Sequence, residues 1–343
     1  MSAISPEEQR DIVNALLTMG LAKEQQHGRI ARLSGGVSCD VYEVDIGRQK
    51  ICVKRALAKL RVKADWTAPP ERTVAEVAWM RLVDKIAPGH APKVFGVDTT
   101  RHMFAMEFFP PEGFPVWKDW LAKGDINIDF AGKVGTALSF IHAATAGRAD
   151  IAKSFGYDAQ FRALRLEPFF YYVADRHADV SAQLHKLARN VATSRIALMH
   201  GDVSPKNILQ GTKRPVFLDA ETTCYGDPAF DLAFCLAHLL LKCVWHPKWM
   251  DRYQQSFAQL RTAYLAGVSW EGADAFERRA ANLLPALLLA RVDGKSPADY
   301  LTAEAKQMFV RKESIAMLKR NPGSLAGVAA QWRKMINASW LGE

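Results

Sequence analysis

The chain has 343 residues, 49% hydrophobic and 24% charged, a balance that suits a globular protein of two domains and excludes a disordered or fibrous one. Five cysteines (Cys39, Cys52, Cys224, Cys235, Cys243) without paired short spacings argue against a disulfide framework or a zinc site, and for a reducing, cytoplasmic setting. The net charge of +9 raises nucleic acid as a partner, but the densest basic stretch, 50–63, carries no interleaved aromatics and fits a solvated face or attraction for an anionic nucleotide.

The N-terminus reads as a capped helix, with Ser5 as N-cap, Pro6 at the first helical position and Glu8 closing a capping box. Its acids and the lack of a long apolar run do not fit a signal peptide. Strand-like runs follow at 30–33, 41–44 and 51–53, separated by glycine turns. The connection at 59–72, with Arg61, Lys63, Asp65, Trp66 and Arg72, reads as a surface loop; closure over a substrate is the alternative. Residues 72–86 place Val77, Met80 and Val83 at helical spacing, and 102–108 is again a strand candidate. Pro110-Pro111-Glu112-Gly113 then breaks the pattern and divides an N-terminal lobe, 1–109, from a C-terminal lobe, 110–343.

Beyond the break, helices are expected at 130–144, 169–191, 230–245 and 251–265. The stretch 230–245 is apolar, yet Asp231, His238 and Lys242 mark it as a core helix, and no membrane role is expected. One compact β segment, 196–219, interrupts these helices and carries the chemistry.

That segment contains Met199-His200-Gly201-Asp202-Val203-Ser204-Pro205-Lys206-Asn207-Ile208-Leu209, and then Val216-Phe217-Leu218-Asp219-Ala220-Glu221. The turn-rich link 211–215 predicts a hairpin of 208–210 with 216–218. A symmetric register centred on Lys213 sets Asn207 opposite Asp219 on one face. An amide oxygen and a carboxylate side by side, with Glu221 near, suit Mg²⁺ carrying a nucleotide. Asp202, one loop earlier, faces the same point and is placed to orient and accept the proton of a substrate hydroxyl.

These residues resemble the aminoglycoside phosphotransferase and choline kinase-like superfamily, whose signature is H-G-D-x-x-x-x-N followed by D-x-[DE]. The resemblance implies an α+β, two-lobed protein-kinase-like fold with a small β-rich nucleotide lobe and a larger helical lobe. It implies Asp202 as catalytic base and Asn207 and Asp219 as magnesium ligands, with Glu221 at the last motif position. The D-x-E form is more similar to methylthioribose and choline kinases than to many aminoglycoside enzymes. Gly226-Asp227-Pro228-Ala229-Phe230-Asp231 also matches: Asp231 is expected to support the catalytic loop through backbone hydrogen bonds, Asp227 to cap the helix, and His200 to hold the loop.

In the N-terminal lobe, Leu33-Ser34-Gly35-Gly36-Val37-Ser38-Cys39 resembles the phosphate-covering loop, although its adjacent glycines depart from the protein-kinase pattern and would alone read as a hairpin turn. Ser34, Gly35, Gly36 and Ser38 would face ATP through backbone N–H groups. Lys54 lies in an apolar strand and needs a partner if it turns inward; it resembles the lysine that grips the α- and β-phosphates. Glu76 on the following helix is its expected partner, with Glu71 as rival. Glu107 and Phe108 belong to the expected hinge, whose backbone would bind adenine.

The acceptor would be shaped by the last hundred residues, where 14 Lys+Arg face 9 Asp+Glu over 244–343. Polycationic aminoglycosides call for an acidic cleft, so a neutral or anionic sugar-like metabolite fits better, with antibiotic phosphorylation as the alternative. Arg291 and Asp293 read as helix-terminal caps or acceptor contacts, and Trp117, Trp245 and Trp249 as core or pocket. A catalytically silent nucleotide-binding regulator is the rival from another class, opposed by the presence of Asp202, Asn207, Asp219 and Lys54 together. Either a monomer or a homodimer is compatible with the sequence.

Overall fold

The structure is a computed structural model and describes residues 4–23, 27–33, 38–61 and 66–341. Five antiparallel strands form the N-terminal sheet in the order β1-β2-β3-β5-β4: β1 (His27–Arg32), β2 (Cys39–Ile46), β3 (Gln49–Ala56), β4 (Val94–Asp98) and β5 (Met103–Glu107). Helix α1 (Pro6–Thr18) lays Ile12, Ala15 and Leu16 against Tyr42, Val44 and Val53 of this sheet. Its capping box is formed: Ser5 Oγ accepts from the Glu8 N–H at 3.2 Å, and Glu8 Oε2 accepts from the Ser5 N–H at 3.0 Å. Helix α2 (Arg72–Ile86) crosses the other side, burying Glu76, Val77, Met80 and Val83. Strand β4 has no clean alternation in the sequence, because Gly96 interrupts it and it lies at the sheet edge with most positions half-exposed.

The rest is helical. Helices of seven or more residues are α3 (Trp117–Lys123), α4 (Ile128–Thr145), α5 (Ser181–Thr193), α6 (Pro228–Trp245), α7 (Met250–Ala266), α8 (Ala273–Asp293), α9 (Glu304–Arg320) and α10 (Leu325–Ile336). Among the described helices, α6 is the one long and apolar enough to cross a membrane, and 94% of it is buried inside the fold. It packs between α7 and α8, so its apolar surface is a protein core.

Three expectations are corrected. The single helix at 169–191 is two: a π-helical stretch, Arg162–Tyr171, contains Pro168, which has no N–H for the regular ladder, and the polar run 175–180 separates it from α5. The connection at 59–72 is not a surface loop where it is described. Leu60, Trp66 and Ala68 pack on Leu164, and Arg72 is fully buried; Lys63 and Asp65 lie outside the described residues.

The third correction is the hairpin register. Strands β7 (Ile208–Gln210) and β8 (Pro215–Phe217) pair with Ile208 opposite Phe217 and Gln210 opposite Pro215. Pro215 enters the strand at its first position, where a missing N–H is tolerated, and this shortens the loop to 211–214. Asn207 therefore faces Leu218, whose N–H donates to the Asn207 carbonyl at 2.8 Å, and not Asp219. A second short pair, β6 (Ala197–Met199) with β9 (Cys224–Gly226), flanks this hairpin.

Candidate active site

Asp219 still reaches the site, by a different route. Its backbone turns into the left-handed region at φ 66°, unusual for a residue with a side chain. Its Oδ1 meets Lys54 Nζ at 2.5 Å, while Glu76 Oε1 and Oε2 accept from the same ammonium at 2.7 and 2.8 Å. Lys54 thus joins β3, α2 and the end of β8 across the two lobes. Burial disfavours its charge, but Asp219 and Glu76 outweigh that and hold Lys54 protonated well above the usual range. Asp219 is correspondingly held below the usual carboxylate range, with Lys54 and Lys206 overcoming its burial. Glu76 is raised to about 7, because burial and repulsion from Asp219 work against the attraction of Lys54. Glu71 does not contact Lys54; it sits at the N-cap of α2.

Asp202 is 5% exposed and faces two cations, Arg165 Nη2 at 3.0 Å and Lys206 Nζ at 3.3 Å. Burial alone would raise its pKa; Arg165 and Lys206 reverse the sign and keep it ionised. Asn207 donates through Nδ2 to the Asp202 carbonyl at 3.0 Å and to Asp202 Oδ2 at 2.8 Å. Its donors are thereby spent, which turns Oδ1 into the atom available to a cation.

The loop carrying Asp202 is fastened from behind. Asp231, fully buried on the first turn of α6, accepts the His200 N–H at 2.7 Å and the Gly201 N–H at 2.8 Å. Asp227 caps α6 by accepting the Ala229 N–H at 3.0 Å. His200 is kept neutral by burial. Its Nδ1 accepts the Asp202 N–H at 3.1 Å, so its Nε2 carries the proton and donates to the Leu218 carbonyl at 3.0 Å. Gly201 sits at φ 79°, and a Cβ there would lie 2.5 Å from the Thr222 carbonyl oxygen, so only glycine fits.

Glu221 does not stand beside Asp219 as an unengaged ligand. Its Oε2 accepts from Arg72 Nε at 2.8 Å. The other guanidinium donors go to the carbonyls of Ser38 (2.5 Å), Leu57 (2.8 Å), Ala68 (3.1 Å) and Pro69 (3.0 Å), which occupies all five. Arg72 thus ties the segment after Asp219 to the strand that leaves the expected phosphate loop. Ser38 is buried there; Ser34, Gly35 and Gly36 lie outside the described residues. At the expected hinge, the Glu107 N–H is bonded to the Lys93 carbonyl at 2.9 Å. Among the described residues no cluster of three or more His, Cys, Asp or Glu forms a ready-made metal site. Asn207 Oδ1 and the second Asp219 oxygen are a partial, hard-oxygen set, which fits a magnesium ion that takes its remaining ligands from phosphate and water.

The description of the phosphotransferase enzyme family matches residues 29–276. The chain belongs to that family. It is 25% identical over 236 residues to a methylthioribose kinase of Geobacillus thermodenitrificans (strain NG80-2), covering 59% of this chain and 57% of that one, so the match spans little more than half of the curated relative. Among solved structures, an amicoumacin kinase with AMP-PNP and Ca²⁺ superposes with a TM-score of 0.58 at 15% identity, covering 93% of this chain and 95% of that one. The choline kinase of Cryptosporidium parvum Iowa II gives 0.56 at 12%, covering 94% and 95%. At such identities these structures establish the two-lobed kinase-like fold alone.

The sequence did not reveal Arg72, Arg165 and Lys206 as site residues of this phosphotransferase. Lys206 lies inside the motif and was legible by spacing, four residues after Asp202. Arg165 comes from the π-helical stretch, and no local pattern marks it. Trp117 is core, packed edge-on to Phe130, and Asp293 pairs with Arg311 (2.6 Å) and His177 (2.8 Å). Arg291 bonds the backbone carbonyls of Ser296 and Pro297 just beyond its helix.

Proposed function

We propose that the protein is an ATP- and magnesium-dependent kinase that phosphorylates a hydroxyl of a small, neutral or anionic sugar-like metabolite in the cytoplasm. The observation that carries this is the pair of assemblies on either side of one gap: Lys54 held between Glu76 and Asp219, and Asp202 held ionised beside Asn207. In this reading Lys54 grips the nucleotide phosphates, and the backbone beyond Phe108 with the Ser38 side of the loop holds the rest of ATP. Mg²⁺ held by Asn207 and Asp219 would neutralise charge on those phosphates. Asp202 orients the acceptor O–H and takes its proton as the new O–P bond forms and the bond from the γ-phosphorus to the bridging oxygen breaks, releasing ADP. Arg165 and Lys206 keep Asp202 in the carboxylate form that this role needs. Glu221 acts through Arg72, positioning the Asp219 segment. The D-x-E motif and the likeness to a methylthioribose kinase support a sugar-like acceptor over an aminoglycoside.

The test is ADP release from Mg-ATP across hydroxylated metabolites and aminoglycosides. Asp202→Asn should fold, bind nucleotide and lose transfer by at least about a hundredfold, the lower range of general-base effects. An Asp202→Asn enzyme with full turnover would refute the assignment.

A further inference from the structure

One face of α6 runs outward from the catalytic loop. Asp231, Phe234, His238 and Lys242 recur at spacings of three and four, so they line one side of the helix. Asp231 fastens the loop, and the Phe234 ring lies 5.9 Å from the Arg165 guanidinium that meets Asp202. His238 stands edge-on to Phe234, with ring centres 5.1 Å apart, and its Nδ1 faces the Tyr300 hydroxyl at 3.4 Å. Lys242 Nζ then lies over the rings of Tyr300, at 4.5 Å, and Trp245, at 4.9 Å. From α8, the Arg291 guanidinium lies 5.9 Å from the Phe169 ring, which Arg165 also approaches at 5.4 Å.

The row holds two cations, Lys242 and Arg291, with His238 kept neutral by its burial, and among the described residues none of the three forms a salt bridge with a carboxylate. Each keeps a buried nitrogen with no hydrogen-bond partner: His238 Nε2, Lys242 Nζ and Arg291 Nε. Lys242 is 1% exposed and His238 6% exposed; Asp299, itself exposed, and Asp119 attract the Lys242 ammonium from a distance without forming an ion pair with it. Buried cations are ordinarily paired, and an unpaired one is a standing cost to the fold. Elsewhere in this site the rule is kept: Lys54, Arg72 and Arg165 all have carboxylate partners. The break in the rule falls around Tyr300 and Trp245, linked to Asp202 through the Phe234 ring and Arg165.

We infer that the acceptor carries an anionic group, a carboxylate or phosphate, that docks against Lys242, His238 and Arg291 while its hydroxyl is presented to Asp202. This rests on the kinase reading above and narrows its substrate class to hydroxy acids and phosphorylated polyols. The faces of Trp245 and Tyr300 wall the anion off from water, which strengthens its attraction to Lys242. Burial lowers Lys242 to about 8, and an anion beside it would offset that burial. The same row repels the polycations that aminoglycosides are, and quaternary amines likewise.

The test is a charge-matched panel: sugar acids, sugar phosphates, their neutral parent polyols and amides, and amino sugars, assayed for ADP release with wild type, Lys242→Met and Arg291→Gln. Turnover is expected for acids or phosphates, the two arms telling which anion is used. Each variant should raise KM for that acceptor roughly tenfold or more, the equivalent of one charge-assisted hydrogen bond, with KM for ATP unchanged. Lys242→Met should also leave the melting temperature unchanged or raised, because it removes an unpaired buried charge. Turnover confined to neutral or cationic members overturns this inference and leaves the kinase reading intact. No turnover in any class overturns both. A Lys242→Met protein that melts lower and shows an unchanged KM ratio marks the lysine as structural and overturns its assignment.

Discussion

Asp231→Asn is the most informative single perturbation of the catalytic loop. The carboxylate is fully buried and accepts one backbone N–H on each oxygen, from His200 at 2.7 Å and Gly201 at 2.8 Å, with His142 Nε2 3.3 Å away. An asparagine in the same place keeps one acceptor; its NH₂ group must face the other N–H. One charge-assisted hydrogen bond is lost, at roughly 1.5–3 kcal/mol, and a buried donor is left unsatisfied, at about 1–3 kcal/mol more. The expected loss of stability is therefore about 2.5–6 kcal/mol, read from the midpoint of urea unfolding at unchanged slope. Residues 200 and 201 immediately precede Asp202, so a displacement of the loop misplaces the base. Misplacement of about 1 Å costs on the order of a hundredfold in turnover. Nucleotide affinity should hardly change, because Lys54 and Glu76 hang on β3 and α2. A variant within about 1 kcal/mol of wild type and fully active would refute the claim that Asp231 sets the loop, since that is the size of one ordinary hydrogen bond.

Two further outcomes are expected. Arg72→Lys cannot reproduce five donors in a planar fork, so KM for ATP should rise roughly tenfold or more, as the loss of about 1.4 kcal/mol would give, and the melting temperature should fall; unchanged nucleotide titration would show that Arg72 does not couple the lobes. Asp293 is held below the usual carboxylate range, since Arg311 and His177 outweigh its burial. Its folded pKa is depressed, so its contribution is present above the unfolded value near ~3.9 and lost as pH falls through the folded one. Asp293→Asn should accordingly melt lower than wild type at neutral pH, with the gap closing toward pH ~3; a gap that is constant with pH would exclude the ion pairs as its source.

Much of the site was legible because its chemistry is local in sequence. Asp202, Lys206 and Asn207 lie within one turn and strand start, and a lysine in the apolar run Ile51-Cys52-Val53-Lys54 announces that its ammonium needs an acid. Glu76 followed from the resemblance, being placed like the family glutamate that precedes an apolar helix stretch. The hairpin register was not legible to the residue, because Pro215 had two roles open to it, last of the turn or first of the strand. With the register shifted by one, Asp219 reaches Lys54 only through a left-handed backbone conformation that no propensity scale assigns to aspartate. Arg165 and Arg72 were hidden for a different reason. Both earn their burial from partners more than thirty residues away, Gly201 and Asp202 for one, Ser38 and Glu221 for the other, and nothing next to them in sequence names those partners.

The electrostatics of the site divide at Asp202. Toward the sheet, each buried cation is neutralised within the chain: Lys54 by Glu76 and Asp219, Arg72 by Glu221. On the reading proposed above, a triphosphate entering there would share Lys54 with those acids, and a divalent cation would neutralise charge at Asp219. Toward α8, Lys242 and Arg291 have aromatic faces and no direct carboxylate partner among the described residues, although Asp299 attracts both from a distance, so an anion bound there would supply the missing contact. Phosphoryl transfer between two anions is opposed by their mutual repulsion. Arg165 and Lys206, both on Asp202, stand at the boundary between the two halves and screen one from the other. Their removal should therefore hurt an anionic acceptor more than a neutral one, a difference that kcat/KM for the charge-matched panel would read directly.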